Sequence, residues 1–177
     1  MLPSDARFAI HWACAMSANM LFRTWSAPDG TLKVVLSLHR KEAPSDEAWD
    51  GYIAAFVQAL AEVQGDSRRI RGLAISDGGG PTSKQRDRLN SFMRNMTEGR
   101  GTVAIVTADP IVRGIVKALS WFNPMARAFA PTELSRAIDY LGLTPVQRLH
   151  FEPALDQALS AYPVECVRAS RRPAQWR

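Results

Sequence analysis

Three consecutive glycines, Gly78, Gly79 and Gly80, lie between an apolar segment and a segment with helical spacing. Glycines in such a turn can bring backbone N–H groups together at the start of a helix, an arrangement that favours anions. The Gly-Lys-Ser/Thr order of a nucleotide-binding P-loop is absent, because Gly80 is followed by Pro-Thr-Ser-Lys. Three interpretations stay open: a turn followed by a helix cap, a regulatory or partner-binding loop, and a phosphate or nucleotide site.

Side chains that could support catalysis or bind a metal are scattered along the sequence. His11, His39 and His150 lie far apart, and no Ser–His–Asp or Cys–His order places a base beside a nucleophile. Cys14 and Cys166 lack the spacing of metal ligands. We therefore expect no catalytic residue, no metal and no cofactor. We also expect two free thiols in a reducing, cytoplasmic compartment, with a disulfide between them as the alternative.

The elements that position these residues must come from a chain of ordinary globular composition. Its 177 residues are 46% hydrophobic and 22% charged, which is enough apolar material for the core of one domain. No apolar run approaches the roughly 20 residues that a membrane-spanning helix needs. Composition thus excludes a fully disordered chain and a membrane span, and it does not indicate an activity.

Positive charge is concentrated in two places, although the formal net charge is only +5. Basic segments attract nucleic acid or anionic membranes. No aromatic residues alternate with the basic ones and no nucleic-acid motif accompanies them, so we expect solvated groups. Contact with nucleic acid or an anionic membrane is the alternative. The two groups are Arg168, Arg171, Arg172 and Arg177 in the tail, and Arg68, Arg69 and Arg71 at the start of an apolar strand.

A β-hairpin is predicted near the N-terminus. Residues 21–26 and 31–38 are strand-like, and the Ala27-Pro28-Asp29-Gly30 segment between them is a strong turn signal. Farther along, apolar strands alternate with capped, amphipathic helices, a pattern typical of right-handed β–α–β connections. The predicted strands are 70–76, 102–107 and an edge strand at 125–129, and the predicted helices start after Ser45, Thr82, Asp109, Thr132 and Thr144.

These elements predict an α/β fold with a mixed, roughly five-stranded sheet, an N-terminal hairpin and about four flanking helices. Residues 73–75 and 103–106 should be adjacent interior strands, which would leave the triple-glycine corner at one rim. We divide the chain into an N-terminal arm (1–19), a domain (20–142) and a helical extension with a basic tail (143–177). The extension should pack back through Leu155, Leu159 and Tyr162, with a break at Pro153.

The order of elements, with its residues, resembles the STAS fold of anti-sigma-factor antagonists. The similarity is closest to small bacterial SpoIIAA-like domains, which are related to CRAL-TRIO domains. It is carried by residues 45–52, 72–88 and 112–119, and it covers roughly residues 20–141. In signalling members, a partner kinase phosphorylates a Ser or Thr where the central strand enters the next helix, commonly within Asp-Ser-Ser-Gly. Phosphorylation then breaks the binding to that partner.

The resemblance implies a non-enzymatic signalling or protein-interaction module that acts through the strand-to-helix loop 77–83. Asp77 matches the motif's aspartate, Gly78 replaces its serine, and Thr82 and Ser83 are hydroxyls farther along. A protein partner is expected, with a homodimer as an alternative. The implied partner-binding or regulatory residues are Asp77, Gly78, Gly79, Gly80, Thr82, Ser83 and Lys84.

The CRAL-TRIO similarity implies a second function, a carrier or sensor of a lipid or another apolar ligand. Trp49, Phe56, Trp121 and Phe122 would line its pocket. Large apolar side chains at helical spacing are also typical of an ordinary core, and this alternative stays open.

Overall fold

A mixed six-stranded sheet organises the computed structural model, which describes residues 14–94, 101–119 and 125–171. The strands are β1 (Cys14–Met16), β2 (Met20–Ser26), β3 (Lys33–His39), β4 (Ile70–Ser76), β5 (Thr102–Thr107) and β6 (Ala126–Phe129). The helices are α1 (Asp46–Glu62), α2 (Ser83–Arg94), α3 (Pro110–Leu119), α4 (Leu134–Tyr140), α5 (Pro145–Ala161) and α6 (Glu165–Arg171). The expected α/β class with a mixed sheet is confirmed.

The strands lie in the sheet in their chain order. β2 is antiparallel to both of its neighbours, β1 and β3, whereas β3, β4, β5 and β6 run parallel. The five strands expected from the sequence are β2 to β6, and β6 lies at the edge as expected. The additional strand is β1, which pairs with residues 21–23 of β2.

The turn between β2 and β3 has the predicted hairpin geometry. Gly30 has a φ of 65°, and its N–H donates to the carbonyl of Ala27 at 2.9 Å. The Asp29 carboxylate accepts hydrogen bonds from the backbone N–H and the hydroxyl of Thr31. A glycine with positive φ and an aspartate that folds back on the backbone therefore close the hairpin.

Helices α1, α2 and α3 connect neighbouring parallel strands, and right-handed connections place all three on one face of the sheet. α1 begins at its predicted cap, where the Ser45 hydroxyl accepts from the Ala48 N–H at 3.2 Å. The apolar side of α1 packs on strand residues of that face. The buried side chains between them include Met20, Phe22, Val35, Trp49, Phe56, Val63 and Ile70.

The C-terminal helices α4, α5 and α6 pack against the opposite face and complete the main hydrophobic core. Leu155 and Tyr162 are buried in that core and Leu159 packs against it, which confirms that the extension folds back. The strand side chains that they cover include Trp25, Val34, Leu36, Leu38, Leu73, Ile75, Ala104 and Val106. The sheet is therefore the middle layer between two layers of helices.

The predicted break at Pro153 is wrong, because α5 is continuous from Pro145 to Ala161. A proline inside a helix removes one backbone hydrogen bond and normally kinks or ends it. Here Phe151, Ala154 and Leu155, on both sides of Pro153, are buried against the sheet. Burial of this face stabilises the helix against the local preference for a break.

Candidate functional site

The glycine loop, residues 77–83, follows the carboxyl end of β4 in the interior of the sheet. Leu73 pairs with Ala104 and Ile75 pairs with Val106, which confirms that β4 and β5 are adjacent interior strands. Open α/β sheets commonly form their binding sites at the carboxyl ends of parallel strands. The predicted site residues therefore lie where the topology favours a site.

Close backbone packing holds the first half of the glycine loop. Gly78 has a φ of 118°, and its N–H donates to the Ser76 hydroxyl at 3.0 Å. Gly79 is buried, and a Cβ there would lie 1.9 Å from the Arg40 carbonyl oxygen. A Cβ at Gly80 would meet nothing within 4 Å. Two of the three glycines thus have conformational or steric reasons to be glycine.

Asp77 acts as a cap for a distant helix. Its carboxylate accepts hydrogen bonds from the backbone N–H groups of Glu165, at 2.9 Å, and Cys166, at 2.7 Å, at the start of α6. A carboxylate at this position satisfies free N–H groups and complements the positive end of the helix dipole. Asp77 is therefore engaged within the fold, and it is half-buried.

Sequence reasoning missed this cap, although a signal for it was present. The residues before α6 are Tyr162, Pro163 and Val164, and none of them is one of the Ser, Thr, Asp or Asn residues that usually cap a helix start. A helix that starts without a local cap needs an acceptor from elsewhere in the chain. A carboxylate at a strand end is a suitable acceptor.

Cys166 packs beside the same carboxylate. Its thiol donates to the Ser76 carbonyl oxygen at 3.4 Å and is free of any disulfide. Burial, together with the hydrogen bond and the negative charge of Asp77, raises the pKa of the Cys166 thiol to about 12. A thiol with that pKa is neutral at physiological pH and is a poor nucleophile.

The second half of the glycine loop starts α2 through the predicted capping box. The Gln85 N–H donates to the Thr82 hydroxyl at 3.3 Å, and the Thr82 N–H donates to Gln85 Oε1 at 2.9 Å. The Gln85 amide also donates to Pro44 and Asp46, and the Trp49 indole N–H donates to the Gln85 carbonyl at 2.8 Å. Gln85, which is only 2% exposed, therefore ties α2 to α1.

An exposed surface remains beside these fixed groups, and we call it the hydroxyl rim. It consists of Thr82, Ser83, Lys84 and Arg86, all of which are exposed. Arg86 donates to the Ser83 hydroxyl at 2.9 Å and to the Pro81 carbonyl at 2.8 Å. The rim thus combines hydroxyl groups with cations at the positive end of α2.

Asp46, at the start of α1, connects this rim to the neighbouring helix. The hydrogen bond from Gln85, followed by the charges of Arg88 and Lys84, holds the pKa of Asp46 below its ordinary value. Arg88 also pairs with Asp50 at 2.9 Å. The starts of α1 and α2 therefore form one continuous polar surface.

The histidines are not brought together. His39 is buried at the end of β3, His150 is exposed on α5, and His11 lies outside the described residues. Burial lowers the pKa of His39 to about 4, so that its ring is neutral at physiological pH. Within residues 14–94, 101–119 and 125–171, no three metal-binding side chains cluster.

The aromatic residues of the alternative apolar pocket are only partly described. Trp49 and Phe56 are buried between α1 and the sheet, and Trp121 and Phe122 lie outside the described residues. Grooves of about 600 and 240 Å³ are lined by other residues. The apolar-carrier function stays a prediction.

Two arginines of the basic group at the start of β4 bind backbone carbonyls. Arg69 donates to the carbonyls of Gly30 and Thr31, both at 2.6 Å, and Arg71 donates to the Leu141 carbonyl at 2.6 Å. These two arginines therefore hold the hairpin turn and the end of α4. In the tail, Arg172 and Arg177 lie outside the described residues.

No helix in the described part of the chain is both long and apolar enough to span a bilayer. Comparison of the chain with protein-family models, with curated proteins and with solved structures gives no match. The site must therefore be interpreted from its own geometry.

Proposed function

We propose that the chain is a STAS-like, non-enzymatic interaction module that binds a partner protein through the glycine loop and the first turn of α2. The sequence resemblance suggests this class, and the position of the loop at the carboxyl end of an interior strand is compatible with it. The proposal assigns recognition to the hydroxyl rim, because Asp77 and Gly79 are already engaged within the fold.

The contrast between a fixed backbone and exposed side chains carries this proposal. Asp77, Gly79 and the Thr82–Gln85 capping box hold the loop, while the side chains of Ser83 and Lys84 extend into solvent. A partner that binds an ordered surface avoids the entropic cost of ordering a flexible loop. Ordered backbone with exposed polar groups is therefore a suitable recognition surface.

Phosphorylation of Ser83 is the form of regulation that this geometry favours. A phosphoryl group there would lie in the first turn of α2, beside Arg86 and next in sequence to Lys84. The helix dipole and the two cations would stabilise the added charge, which is about −1.5 to −2 at neutral pH. The domain would stay folded while the charge of its partner-binding surface changed.

A photo-cross-linking experiment tests the proposed surface. A photoreactive amino acid is placed at Ser83, and the matched control is Ser160, an exposed serine on α5. In the cells that produce the protein, we expect the Ser83 derivative to capture a protein that the Ser160 derivative does not. The same capture pattern at both positions would contradict the proposal.

The captured protein then allows a quantitative measurement. We expect Ser83→Asp to change its Kd by about tenfold, and Ser160→Asp to leave the Kd unchanged, because only Ser83 lies on the proposed surface. Calorimetry with the purified proteins measures both values. An unchanged Kd for Ser83→Asp would remove the hydroxyl rim from the interface.

A further inference from the structure

A groove of about 600 Å³ lies beside β6, an edge strand of the sheet in the described part of the chain, two strands away from β4 and its glycine loop. Residues of α3, of β6 and of the end of α4 line it. Nothing in the proposed function uses this groove. The charge of the groove and the backbone geometry of its wall indicate that it binds a ligand distinct from the partner of the hydroxyl rim.

The groove is positively charged. Arg113 and Lys117 lie four residues apart on α3 and therefore on one side of that helix. Arg127 comes from β6, and its guanidinium carbon lies 5.5 Å from the ring centre of Phe129 and 5.8 Å from that of Tyr140. None of the described residues that line the groove is acidic.

A hydrogen bond from the Ala130 N–H, then Arg136, and to a smaller extent the charge of Arg113 hold the pKa of the Glu133 carboxyl below its ordinary value. It lies outside the groove lining and already accepts hydrogen bonds from the Ala130 N–H and from Arg136. Its negative charge is therefore shared with other groups. The described lining of the groove itself contributes three cationic side chains and no carboxylate.

The wall formed by β6 is an open strand edge. Within the described residues, β6 pairs with β5 alone, and the Val103 N–H donates to the Met125 carbonyl at 2.8 Å. Backbone groups of successive residues point alternately to the two sides of a strand, so Ala126 and Ala128 direct theirs outward. Both alanines line the groove, and both are half-buried.

We propose that this groove binds an extended acidic segment of a partner protein, which adds to the sheet as a new strand beside β6. Main-chain hydrogen bonds to Ala126 and Ala128 would supply affinity independent of sequence. Carboxylates of the segment would pair with Arg113, Lys117 and Arg127 and select acidic sequences. This second interface is separate from the hydroxyl rim, so that either proposal can fail without the other.

The charges argue against a second copy of this chain as the occupant. Pairing of two β6 edges would bring both sets of cations together in one groove, and like charges in contact oppose association. Cations at a strand edge prevent such self-pairing in many proteins. The carboxylates of an acidic strand would instead be attracted to these cations.

Fluorescence anisotropy with the purified full-length chain tests the proposal. The ligand is a labelled short peptide of alternating Glu and Val, and its control has the same charge but carries Pro in place of Val, which removes backbone donors. We expect the Glu–Val peptide to bind at least about tenfold more tightly than the Pro peptide.

Three variants separate charge from strand addition. Arg127→Glu reverses one groove charge, and Ala128→Pro removes an outward N–H at an edge position where proline is tolerated. We expect each to weaken peptide binding about tenfold, whereas Lys41→Glu, an exposed lysine on the loop after β3, should not. Thermal unfolding verifies that Ala128→Pro is folded, and Arg127→Glu tests the groove independently of that result.

Hydrogen exchange measured by NMR gives a direct readout of strand addition. We expect the Glu–Val peptide to slow exchange at the amides of Ala126 and Ala128. Equal binding of the Pro peptide, or equal displacement by inorganic phosphate, would show a simple anion site and overturn the proposal. The proposal would also be overturned if duplex DNA bound more tightly than the Glu–Val peptide, or if the Glu–Val peptide did not bind at millimolar concentration. Self-association of the chain that Ala128→Pro abolishes would overturn it as well.

Discussion

Adjacent glycines in the 77–83 loop have different physical roles. The backbone at Gly79 approaches the loop after β3 so closely that a Cβ would lie 1.9 Å from the Arg40 carbonyl oxygen and 2.5 Å from that of Glu42. Gly80 has no such neighbour within 4 Å. One glycine is required by packing, and the next can be replaced.

Gly79→Ala should therefore destabilise the protein, because backbone atoms must move to admit the methyl group. We expect a loss of about 1–3 kcal/mol, or more, in the free energy of unfolding, measured by urea denaturation. Gly80→Ala is the matched control, and it should be neutral or stabilising by up to about 1 kcal/mol. Equal losses for both variants would contradict this steric explanation.

At the scale of elements, the contact between Asp77 and α6 connects the centre of the sheet with the C-terminal end of the described chain. The partners are 88 and 89 residues apart in sequence. α6 is a short helix of seven residues, and a helix of that length is unstable in isolation. Its position depends on the Asp77 cap and on the burial of Val164 and Val167.

Asp77→Ala should loosen α6, because the N–H groups of Glu165 and Cys166 lose their acceptor. A lost cap costs about 1–2 kcal/mol, and exposure of Cys166 should accelerate its reaction with a thiol reagent. The measurement uses a Cys14→Ser background, so that only Cys166 reacts. Asp87→Ala, an exposed aspartate on α2, is the control, and an equal rate in both variants would contradict the capping role.

At the scale of the whole molecule, two layers of helices cover the sheet, and a few polar side chains are buried with it. Among these buried polar side chains of the described residues, His39, at the end of β3, is titratable. Its Nε2 lies 3.2 Å from the Ser37 hydroxyl, its ring centre lies 6.4 Å from that of Trp49, and among the described residues its Nδ1 has no hydrogen-bond partner. A charged imidazolium is therefore disfavoured in the folded state.

Mild acid should consequently destabilise the fold through His39. Its pKa is about 4 in the folded protein and 6.5 ordinarily, so below pH 6.5 the unfolded chain binds a proton that the folded protein does not. The free energy of unfolding should fall by about 2 kcal/mol between neutral pH and about pH 5. Urea denaturation at a series of pH values measures this slope.

Controls separate His39 from the other groups that titrate in acid. His39→Leu should flatten the slope, and His150→Gln should not, because His150 is exposed. The carboxyl groups of Asp46 and Glu62 have pKa values below their ordinary 3.8 and 4.5, so their contributions are lost only at lower pH. An unchanged slope in His39→Leu would contradict this assignment.

The sequence by itself determined the elements that depend on neighbouring residues. The hairpin turn at Asp29 and Gly30, the caps at Ser45 and Thr144, and the buried strands 70–76 and 102–107 were all predictable. Each depends on contacts within a few residues or on an apolar pattern with a fixed period. For this reason the α/β class, the hairpin of β2 and β3 and the adjacency of β4 and β5 followed from the sequence.

Only the tertiary structure decided which residues of distant segments contact one another. It placed the Asp77 carboxylate under α6, kept α5 continuous through Pro153, and brought the cations of α3 and β6 into one groove. These contacts join residues that are far apart in sequence, or they outweigh a local preference by burying apolar surface. No local pattern encodes them, because the free energy that favours them exists only once the layers have packed.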